Sequence, residues 1–516
     1  MAASVFLRRD LPLALLGVSG VLTSSTASAS AGVDTTALVE AVTLEAVRAH
    51  QQAFQDFADA GDGTREASSD GYLDSVLYVS RLMTEAGYEV DVQIFPFLFS
   101  ADNSPPVLAQ ISPEAAEYPV DDPEGFTSLT YSGSGDVTAT VTPVDVVLPP
   151  ATEPNSSSSG CEAEDFADFP AGDIALLQRG ACAFGLKAQN AQEAGAAGVV
   201  IFNEGQEGRT EAIGATLGEA GFDIPVVFSS FAIGEALAAG GVQARLAADV
   251  LTENRISANV IADSRVGRTD RTVVVGGHLD SVDEGPGIQD NGTGSAGILE
   301  TALQLAALAE AGELDVDNRM RFAWWGAEEL GLLGSQYYVD NLTEEEQGEI
   351  ILNLNFDMIG SPNYARFVYD GDGSASEPAG PPGSAFVEWL FRDWFDSQGL
   401  ESEPTPFSGR SDYGPFIAVG IPAGGLFTGA EGIKTEEQAA RYDGEAGVAF
   451  DPCYHLACDT FDNISEQGLS EMLGALANSV GFFAKRTPYV PPTDGARSRQ
   501  AIAGVETDYR ADLLAR

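Results

Sequence analysis

Hydrophobic side chains recur every three or four positions along two stretches near the start of the chain, residues 37–58 and 72–86. This spacing puts the apolar side chains on one face of a helix, so both stretches are predicted to be helical, with Gly87 ending the second. Residues 89–95 alternate instead between apolar and polar side chains, which is the pattern of a strand. Pro96 is predicted to end that strand, because proline cannot donate to a strand ladder.

From residue 256 onwards, compact apolar runs alternate with helical patterns. The predicted strands cover 272–276, 319–325, 350–356 and 367–369, and the predicted helices cover 292–311 and 381–398. Strands that alternate with helices indicate an α/β sheet with helices on both faces. We therefore expect an α/β fold with a mixed, mostly parallel sheet.

The segment between these two regions has a different composition, because residues 120–160 are rich in Pro, Ser, Thr, Gly and Asp. Short strands are predicted at 137–141, 145–148, 173–177, 198–202 and 225–228, and a helix at 184–194. The run from Cys161 through Asn203, which includes Gln178-Arg179-Gly180, resembles a protease-associated (PA) domain. That resemblance implies an inserted β-rich module without catalytic residues of its own.

Acidic residues and a histidine follow the predicted strands of the α/β region. His278 follows the first strand, Glu328 and Glu329 follow the second, and Asp357 ends the third. Ligands bind outside the carboxyl ends of the strands in open α/β sheets, so these residues are expected to converge. The chain has only three histidines, His50, His278 and His455, which makes the position of His278 informative.

Imidazole nitrogen together with carboxylate oxygen is the ligand set that suits zinc. Asp290 could place one carboxylate oxygen on each of two zinc ions. His278 and Asp357 would complete one site, and Glu329 and His455 would complete the other. The residue types and their placement therefore predict a two-zinc site.

A pair of zinc ions makes a water molecule acidic enough to attack a carbonyl group. A free carboxylate beside it must take the proton and pass it to the leaving amine, and Glu328 is the candidate. A Glu-Glu pair is often only a solvated surface, but this pair lies between Trp324-Trp325-Gly326-Ala327 and Leu330-Gly331-Leu332-Leu333. Asp290 could also be no more than the start of the following helix.

Several stretches together resemble the secreted co-catalytic dizinc aminopeptidases of metallopeptidase clan MH. They are Gly277-His278-Leu279-Asp280-Ser281, Gly287-Ile288-Gln289-Asp290-Asn291-Gly292, Trp325-Gly326-Ala327-Glu328-Glu329-Leu330-Gly331, Asn355-Phe356-Asp357-Met358 and Cys453-Tyr454-His455. The resemblance implies a phosphorylase/hydrolase-like zinc peptidase fold, the five zinc ligands above and Glu328 as general base. Asp280 would contact His278 without binding zinc itself, and would thereby orient the His278 ring.

The same resemblance implies roles for residues outside the ligand set. Arg410, in Phe407-Ser408-Gly409-Arg410-Ser411-Asp412, would approach the substrate near the metals. Tyr454 would donate a hydrogen bond to the developing oxyanion. Arg410 could instead be a surface ion-pair partner, and Tyr454 a packed core ring.

The charge narrows the range of partners. The formal net charge is -52, and a chain this acidic repels nucleic acid and anionic membranes. Neither is therefore expected as a partner. Peptides or proteins with a free N-terminus are the expected substrates, and a monomer is expected. Calcium remains an alternative without support, because no Asp-rich calcium loop is visible.

The N-terminus and the cysteines favour export. Arg8 and Arg9 precede a short apolar run, and Ala27-Ser28-Ala29 is typical of a signal-peptide cleavage site, so secretion after cleavage near Ala29 is expected. Four cysteines in an exported chain suggest two local disulfides, one within the pair Cys161 and Cys182 and one within Cys453 and Cys458. The resemblance implies that the second disulfide closes the small loop that carries Tyr454 and His455.

The predicted division of the chain is a signal peptide at 1–29, a first peptidase part at 37–120, a PA domain at 121–252, a zinc peptidase domain at 253–485 and a tail at 486–516. A carboxypeptidase or dipeptidase of the same clan is an alternative activity. A catalytically inactive receptor-like or scaffold protein is an alternative from another class. The complete two-metal set argues against a single-zinc glutaminyl cyclase.

Overall fold

The computed structural model describes residues 33–376 and 378–488, so the predicted signal peptide and most of the predicted tail lie outside the described residues. Helices α1 to α12 are Thr36–Ala41, Leu44–Ala60, Asp70–Glu85, Phe184–Glu193, Phe231–Leu237, Gly292–Ala311, Leu333–Asp340, Glu344–Glu349, Ser384–Gln398, Tyr413–Ala418, Glu436–Tyr442 and Glu466–Lys485. Strands β1 to β15 are Glu89–Ser112, Ala116–Glu117, Phe126–Thr130, Gly135–Pro143, Ile174–Gln178, Gly198–Phe202, Ala215–Thr216, Val226–Ser229, Gln243–Asp263, Arg268–His278, Asn318–Trp325, Ile350–Phe356, Phe367–Tyr369, Glu403–Thr405 and Ala423–Phe427.

The α/β part is built on one sheet with the strand order β14-β13-β15-β12-β10-β11-β9, and β1 lies beyond β9. Strands β11, β10, β12 and β15 are parallel to one another, whereas β9 is antiparallel to β11. The predicted mixed, mostly parallel sheet is therefore confirmed.

Helices cover both faces of this sheet, and β10 shows why. Val273 and Val275 point into a large apolar cluster with residues of α6 and α12, while Val274 points to the other face. There it packs with Tyr338 of α7 and Phe416 of α10. A central strand that is buried on both faces reads as a continuous apolar run, as this one does.

Three local predictions are wrong. β1 continues through Pro96, which pairs with Ile256 of β9, because β1 lies at the edge of the α/β sheet and an edge strand tolerates a missing donor. The single helix predicted over 37–58 is divided into α1 and α2, since Thr43 caps a new helix by accepting the N–H of Ala46. The strand predicted at 145–148 is also absent from the described chain.

A second, β-rich part continues the sheet in the order β9-β4-β5-β6-β8-β3-β7. The antiparallel pair β1 and β9 joins the two parts, because its register runs from Glu89 opposite Asp263 to Ser112 opposite Gln243. The predicted boundary at 252/253 falls inside β9, so that strand serves both parts. In the ranges 33–376 and 378–488, no helix has the length and apolar character needed to cross a membrane.

Candidate active site

The carboxyl ends of three neighbouring strands bring the predicted site residues together. His278 is the last residue of β10, and the parallel register places it opposite Trp325, the last residue of β11. Asp357 directly follows β12, on the other side of β10. Glu328 and Glu329 lie in the turn after β11, where Ala327 has a positive φ of 56° that turns the chain out of the strand.

Asp290 lies between the two histidines. One of its carboxylate oxygens is 3.1 Å from Nε2 of His278, and the other is 3.4 Å from Nε2 of His455. Burial by itself would raise the pKa of Asp290, but its hydrogen bonds to His278 and His455 lower the pKa below the usual range. A carboxylate that offers one oxygen to each histidine has the shape needed to bridge two cations.

The remaining two predicted ligands each lie beside one histidine. Asp357 Oδ1 is 3.2 Å from His278 Nε2, and Ser411 donates to the other oxygen of Asp357 at 2.6 Å. Glu329 Oε2 is 3.0 Å from His455 Nε2. His278, Asp290 and Glu329 offer ligand atoms that all lie within 4.8 Å of one another, so the residues predicted from the sequence form one cluster.

Asp290 does not cap helix α6, because the N-cap is its neighbour Asn291, whose side chain accepts the N–H of Gly294 at 2.9 Å. The Asn291 side chain also accepts the N–H of Met358 at 3.1 Å and donates to the carbonyl of Phe356 at 2.9 Å. Asn291 therefore joins the start of α6 to the end of β12, which fixes Asp290 relative to Asp357.

Asp280 contacts other parts of the site besides His278, its expected partner. Its backbone carbonyl lies 3.2 Å from His278 Nδ1, and its nearer carboxylate oxygen lies 3.7 Å from that nitrogen. The two carboxylate oxygens accept the backbone N–H groups of Glu328 and Glu329 at 3.2 and 3.3 Å. Asp280 therefore ties the His278 strand end to the turn that carries both glutamates.

Burial controls the protonation of the two neighbouring glutamates. It raises the pKa of Glu328 well above the usual range, and it raises the pKa of Glu329 to about 7, where Asp290 adds to the effect. The upward shift makes each carboxylate a better proton acceptor than an exposed one. Oε1 of Glu329 is buried and has no hydrogen-bond partner in the described structure, so it is available to a cation.

Burial opposes the charged form of both histidines, but the carboxylates around them outweigh it. Asp357 and Glu328 raise the pKa of His278 well above the usual range, and Glu329 and Asp290 raise that of His455 to about 11. The concentration of buried negative charge is thus strong enough to retain a proton on either ring. A divalent cation would satisfy the same charge.

Arg410 and Tyr454 meet at the rim of the cluster. Arg410 Nη2 donates to the Tyr454 hydroxyl at 3.0 Å, while its Nη1 lies 2.6 Å from Glu431. The ring of Tyr454 stacks on the His455 ring with 3.8 Å between centroids. Arg410 thus forms an ion pair, as expected if it were only a surface residue. It also contacts Tyr454, the tyrosine predicted to act on the substrate.

Both predicted disulfides are present and confirmed, namely Cys161–Cys182 in the β-rich part and Cys453–Cys458 beside the site. The second bond closes a five-residue separation around His455. His455 has a positive φ of 56°, which is uncommon outside glycine and turns its ring toward Asp290. The short covalent loop limits how far this residue can relax.

Two residues that support the ligands were missed by the sequence analysis. Arg65 is fully buried and donates to the carbonyls of Leu279, Pro286 and Gly287, in the segment between His278 and Asp290. Asp459 accepts the backbone N–H of Asp290 at 3.0 Å. Neither has a local sequence signal, since Arg65 is 214 residues from Leu279 and Asp459 is 169 residues from Asp290.

A cavity of about 710 Å³ opens above the cluster. Its acidic lining includes Asp290, Glu328, Glu329, Asp357 and Glu431, and its apolar and aromatic lining includes Met358, Tyr369, Phe427 and Tyr454. A cavity of this kind, lined by both charged groups and apolar side chains, suits a small organic substrate or the end of a peptide.

The sequence is similar to known aminopeptidases over most of its length. Residues 259–480 match peptidase family M28, and residues 138–237 match the PA domain. An aminopeptidase of Pseudomonas aeruginosa strain UCBPP-PA14 is 47% identical over 453 residues, which cover 87% of this chain and 82% of that protein. Leucine aminopeptidase 2 of Arthroderma otae is 40% identical over 479 residues, which cover 90% of each.

Solved structures show the same relationship. An aminopeptidase from Aneurinibacillus sp. strain AM-1 has a TM-score of 0.68 and 26% identity, covering 89% of this chain and 99% of that one. BSAP, a zinc aminopeptidase from Bacillus subtilis, has a TM-score of 0.57 and 25% identity, covering 85% and 95%. The resemblance read from the motifs is therefore confirmed: the chain belongs to peptidase family M28, and it is an aminopeptidase that carries a PA domain.

Proposed function

We propose that this enzyme binds two zinc ions and hydrolyses the N-terminal peptide bond of peptides that have a free amino group. The observation that carries the proposal is the position of Asp290, whose two oxygens face His278 and His455 separately. A carboxylate in this position can join two metal ions, whereas a site for one ion needs no such arrangement.

The residues present fit two zinc ions. His278 and Asp357 would hold one ion, Glu329 and His455 the other, and Asp290 would contact both. The unpartnered Oε1 of Glu329 and the buried negative charge support this assignment. When bound, zinc supplies a Lewis acid that polarises a carbonyl and lowers the pKa of water. BSAP, the solved structure described above as a zinc aminopeptidase, agrees with the choice of metal.

Glu328 is the proposed general base. It follows β11, lines the cavity and directly precedes the proposed ligand Glu329. Burial raises its pKa, so the carboxylate readily accepts a proton from the attacking water and returns it to the leaving amine. Asp280 holds the backbone of this turn in place through the N–H of Glu328.

Tyr454 is proposed to stabilise the oxyanion that develops on the substrate carbonyl. Its hydroxyl lines the cavity, and its ring is held by the stacked His455. Arg410 donates to the same hydroxyl oxygen, which leaves the tyrosine O–H free to donate to the substrate. Arg410 thereby orients Tyr454 and brings a positive charge to the rim.

The acidic lining of the cavity favours recognition of the N-terminal ammonium over a C-terminal carboxylate. Arg410 is the only arginine or lysine among the described residues that line the cavity, and Glu431 already pairs with it. A carboxypeptidase needs an unpaired positive group for the substrate carboxylate. The apolar lining of Met358, Tyr369 and Phe427 further favours an apolar N-terminal residue, in keeping with relatives named leucine aminopeptidase.

We also propose that the protein is exported, that it is a monomer and that the chain is divided as the sequence predicts. Two disulfides suit an oxidising compartment, and residues 1–29 have the composition of a signal peptide. The PA domain at 121–252 would then be an insertion between the peptidase parts at 37–120 and 253–485.

The test is a panel of aminoacyl p-nitroanilides with leucine, alanine, lysine and glutamate, each assayed free and N-acetylated. We expect hydrolysis of the free leucyl compound, weaker hydrolysis of the charged ones and none of the acetylated ones. Efficient release of C-terminal residues from N-acetylated peptides would favour the carboxypeptidase alternative instead. A properly folded protein that cleaves no member of either set would favour the inactive alternative.

A further inference from the structure

Helix α2 lies outside the stretch that matches the peptidase family, but one of its faces contacts the loops of the proposed zinc site. Arg48, Gln51 and Gln55 are three and four positions apart, so they lie on the same side of the helix. We propose that these three side chains, the α2 clamp, are positioning residues that hold the segments of Asp290 and His455 together for zinc binding. This inference rests on the proposed two-zinc function.

The segment that leads to Asp290 is the first of the two loops that α2 contacts. Gln51 is fully buried, and its side-chain N–H donates to the backbone carbonyl of Ile288 at 3.2 Å. Arg48 Nη1 donates to Oε1 of Gln51 at 2.9 Å, which fixes the orientation of the Gln51 amide. Because Ile288 is only two positions before Asp290, a shift of its carbonyl would also shift the proposed bridging carboxylate.

The second loop follows the disulfide that closes around His455. Gln55 accepts the backbone N–H of Phe461 at 2.9 Å, and Arg48 Nη2 donates to the backbone carbonyl of Phe461 at 2.6 Å. The guanidinium carbon of Arg48 also lies 3.5 Å from the centre of the Phe461 ring. Side chains of α2 therefore hold both backbone groups of one loop residue, which limits how far this loop can move relative to the helix.

The two loops also contact each other, and this contact reaches the proposed ligands. Asp459 accepts the N–H groups of Gln289 and Asp290 through separate oxygens, at 2.8 and 3.0 Å. Its own N–H donates at 3.0 Å to the carbonyl of Leu456, the residue after His455. The α2 clamp therefore holds both sides of a contact that joins the segments of Asp290 and His455.

The apolar packing of α2 does not depend on the clamp. Val47 and Phe54 place the helix in the main apolar core. A buried amide needs hydrogen-bond partners, and both clamp glutamines find one on a loop of the site. Methionine resembles glutamine in size and helix propensity, so replacing either glutamine with methionine should leave the helix in place and release the loop.

The test uses Gln51→Met and Gln55→Met in the full-length protein. Gln52→Met is the matched control, because Gln52 is exposed and donates to Asp56 of the same helix at 2.8 Å. Two quantities are measured on each protein. They are the zinc dissociation constants, from competition with a chelator, and the visible absorption after loading with cobalt(II), whose bands depend on how the ligands surround the metal.

We expect the weaker of the two zinc dissociation constants to rise about tenfold in Gln51→Met and in Gln55→Met. This is the low end of the roughly 10–100-fold change that follows loss of a partner of a metal ligand, because the clamp acts through the loop backbone. The cobalt absorption should also change in both variants. Gln52→Met should match the wild-type protein in both measurements.

Zinc dissociation constants and cobalt spectra that match those of Gln52→Met in both variants would overturn the inference. If the melting temperature of the zinc-free variants fell while these two quantities stayed unchanged, the clamp would stabilise the fold without positioning the ligands, and the inference would also be wrong. A failure of the proposed function gives a different result, because the wild-type protein itself would then not hold two zinc ions.

Discussion

Arg410 donates a hydrogen bond to the hydroxyl of Tyr454 at 3.0 Å, although the two residues are 44 positions apart in the chain. The contact joins the loop after β14 to the disulfide loop that carries His455, and both side chains line the cavity. It gives Tyr454 a fixed hydroxyl position beside the proposed zinc ligands, which is the condition for acting on a developing oxyanion.

Tyr454→Phe should therefore lower kcat with little change in KM. Removing one oxyanion donor typically costs about 10²–10³ in kcat. Steady-state kinetics on leucyl-p-nitroanilide measures both parameters, and Tyr118→Phe in the β-rich part serves as the control because its hydroxyl does not line the cavity. If Tyr454→Phe raised KM and left kcat intact, the residue would bind substrate without acting in the transition state.

The neighbouring glutamates Glu328 and Glu329 should separate chemistry from metal binding. Glu328→Gln is expected to lower kcat by at least the roughly 10²–10⁴-fold of a lost general base, with both zinc ions retained. Glu329→Gln is expected to lose one zinc ion, since Glu329 is the partner of His455. Metal analysis of the two purified variants, alongside their kinetics, checks this. Zinc loss in Glu328→Gln would make Glu328 a ligand.

Asp459→Asn should weaken zinc binding without touching a ligand side chain. Asp459 accepts the N–H groups of Gln289 and Asp290, and an amide cannot accept both while presenting its own N–H. A loss of about 10–100-fold in zinc affinity is expected for a partner of this kind. Competition with a chelator measures it, and the exposed Asp462→Asn is the control. Equal affinities in both variants would leave Asp459 with a packing role only.

Zinc affinity should rise with pH. Burial raises the pKa of Glu329 to about 7, so below that pH its carboxyl holds a proton that zinc must displace. His455, whose pKa is raised to about 11, must also lose its proton on binding, which acts in the same direction. The zinc dissociation constant, measured between about pH 6 and pH 8, is expected to fall as pH increases. A dissociation constant that is flat or rises over this range would contradict the proposed ligands.

The sequence predicts best those elements whose local pattern and tertiary environment agree. Helix α6 and strand β12 have the bounds that their apolar patterns predict, because both are buried in the main core. Pro96 misled the prediction, since only the sheet topology reveals that β1 lies at an edge where proline is tolerated. Edge position is a property of the assembled sheet and not of the local sequence.

The same distinction applies to the site. His278 and Asp357 could be found because both occur at the ends of recognisable strands. Arg65 and Asp459 could not, because each acts through backbone groups that are distant in sequence. Ile213 of the PA domain also lines the cavity, and no local pattern in the sequence predicts that position.

The central claim is that Asp290 joins two zinc ions in an aminopeptidase site. The most direct test removes metal from the purified enzyme and adds zinc back in steps, while leucyl-p-nitroanilide hydrolysis and bound zinc are measured on the same samples. The account predicts that activity reaches its maximum only when each chain holds two zinc ions, and that Asp290→Asn never reaches it. Full activity with one zinc ion per chain, or with none, would contradict the account.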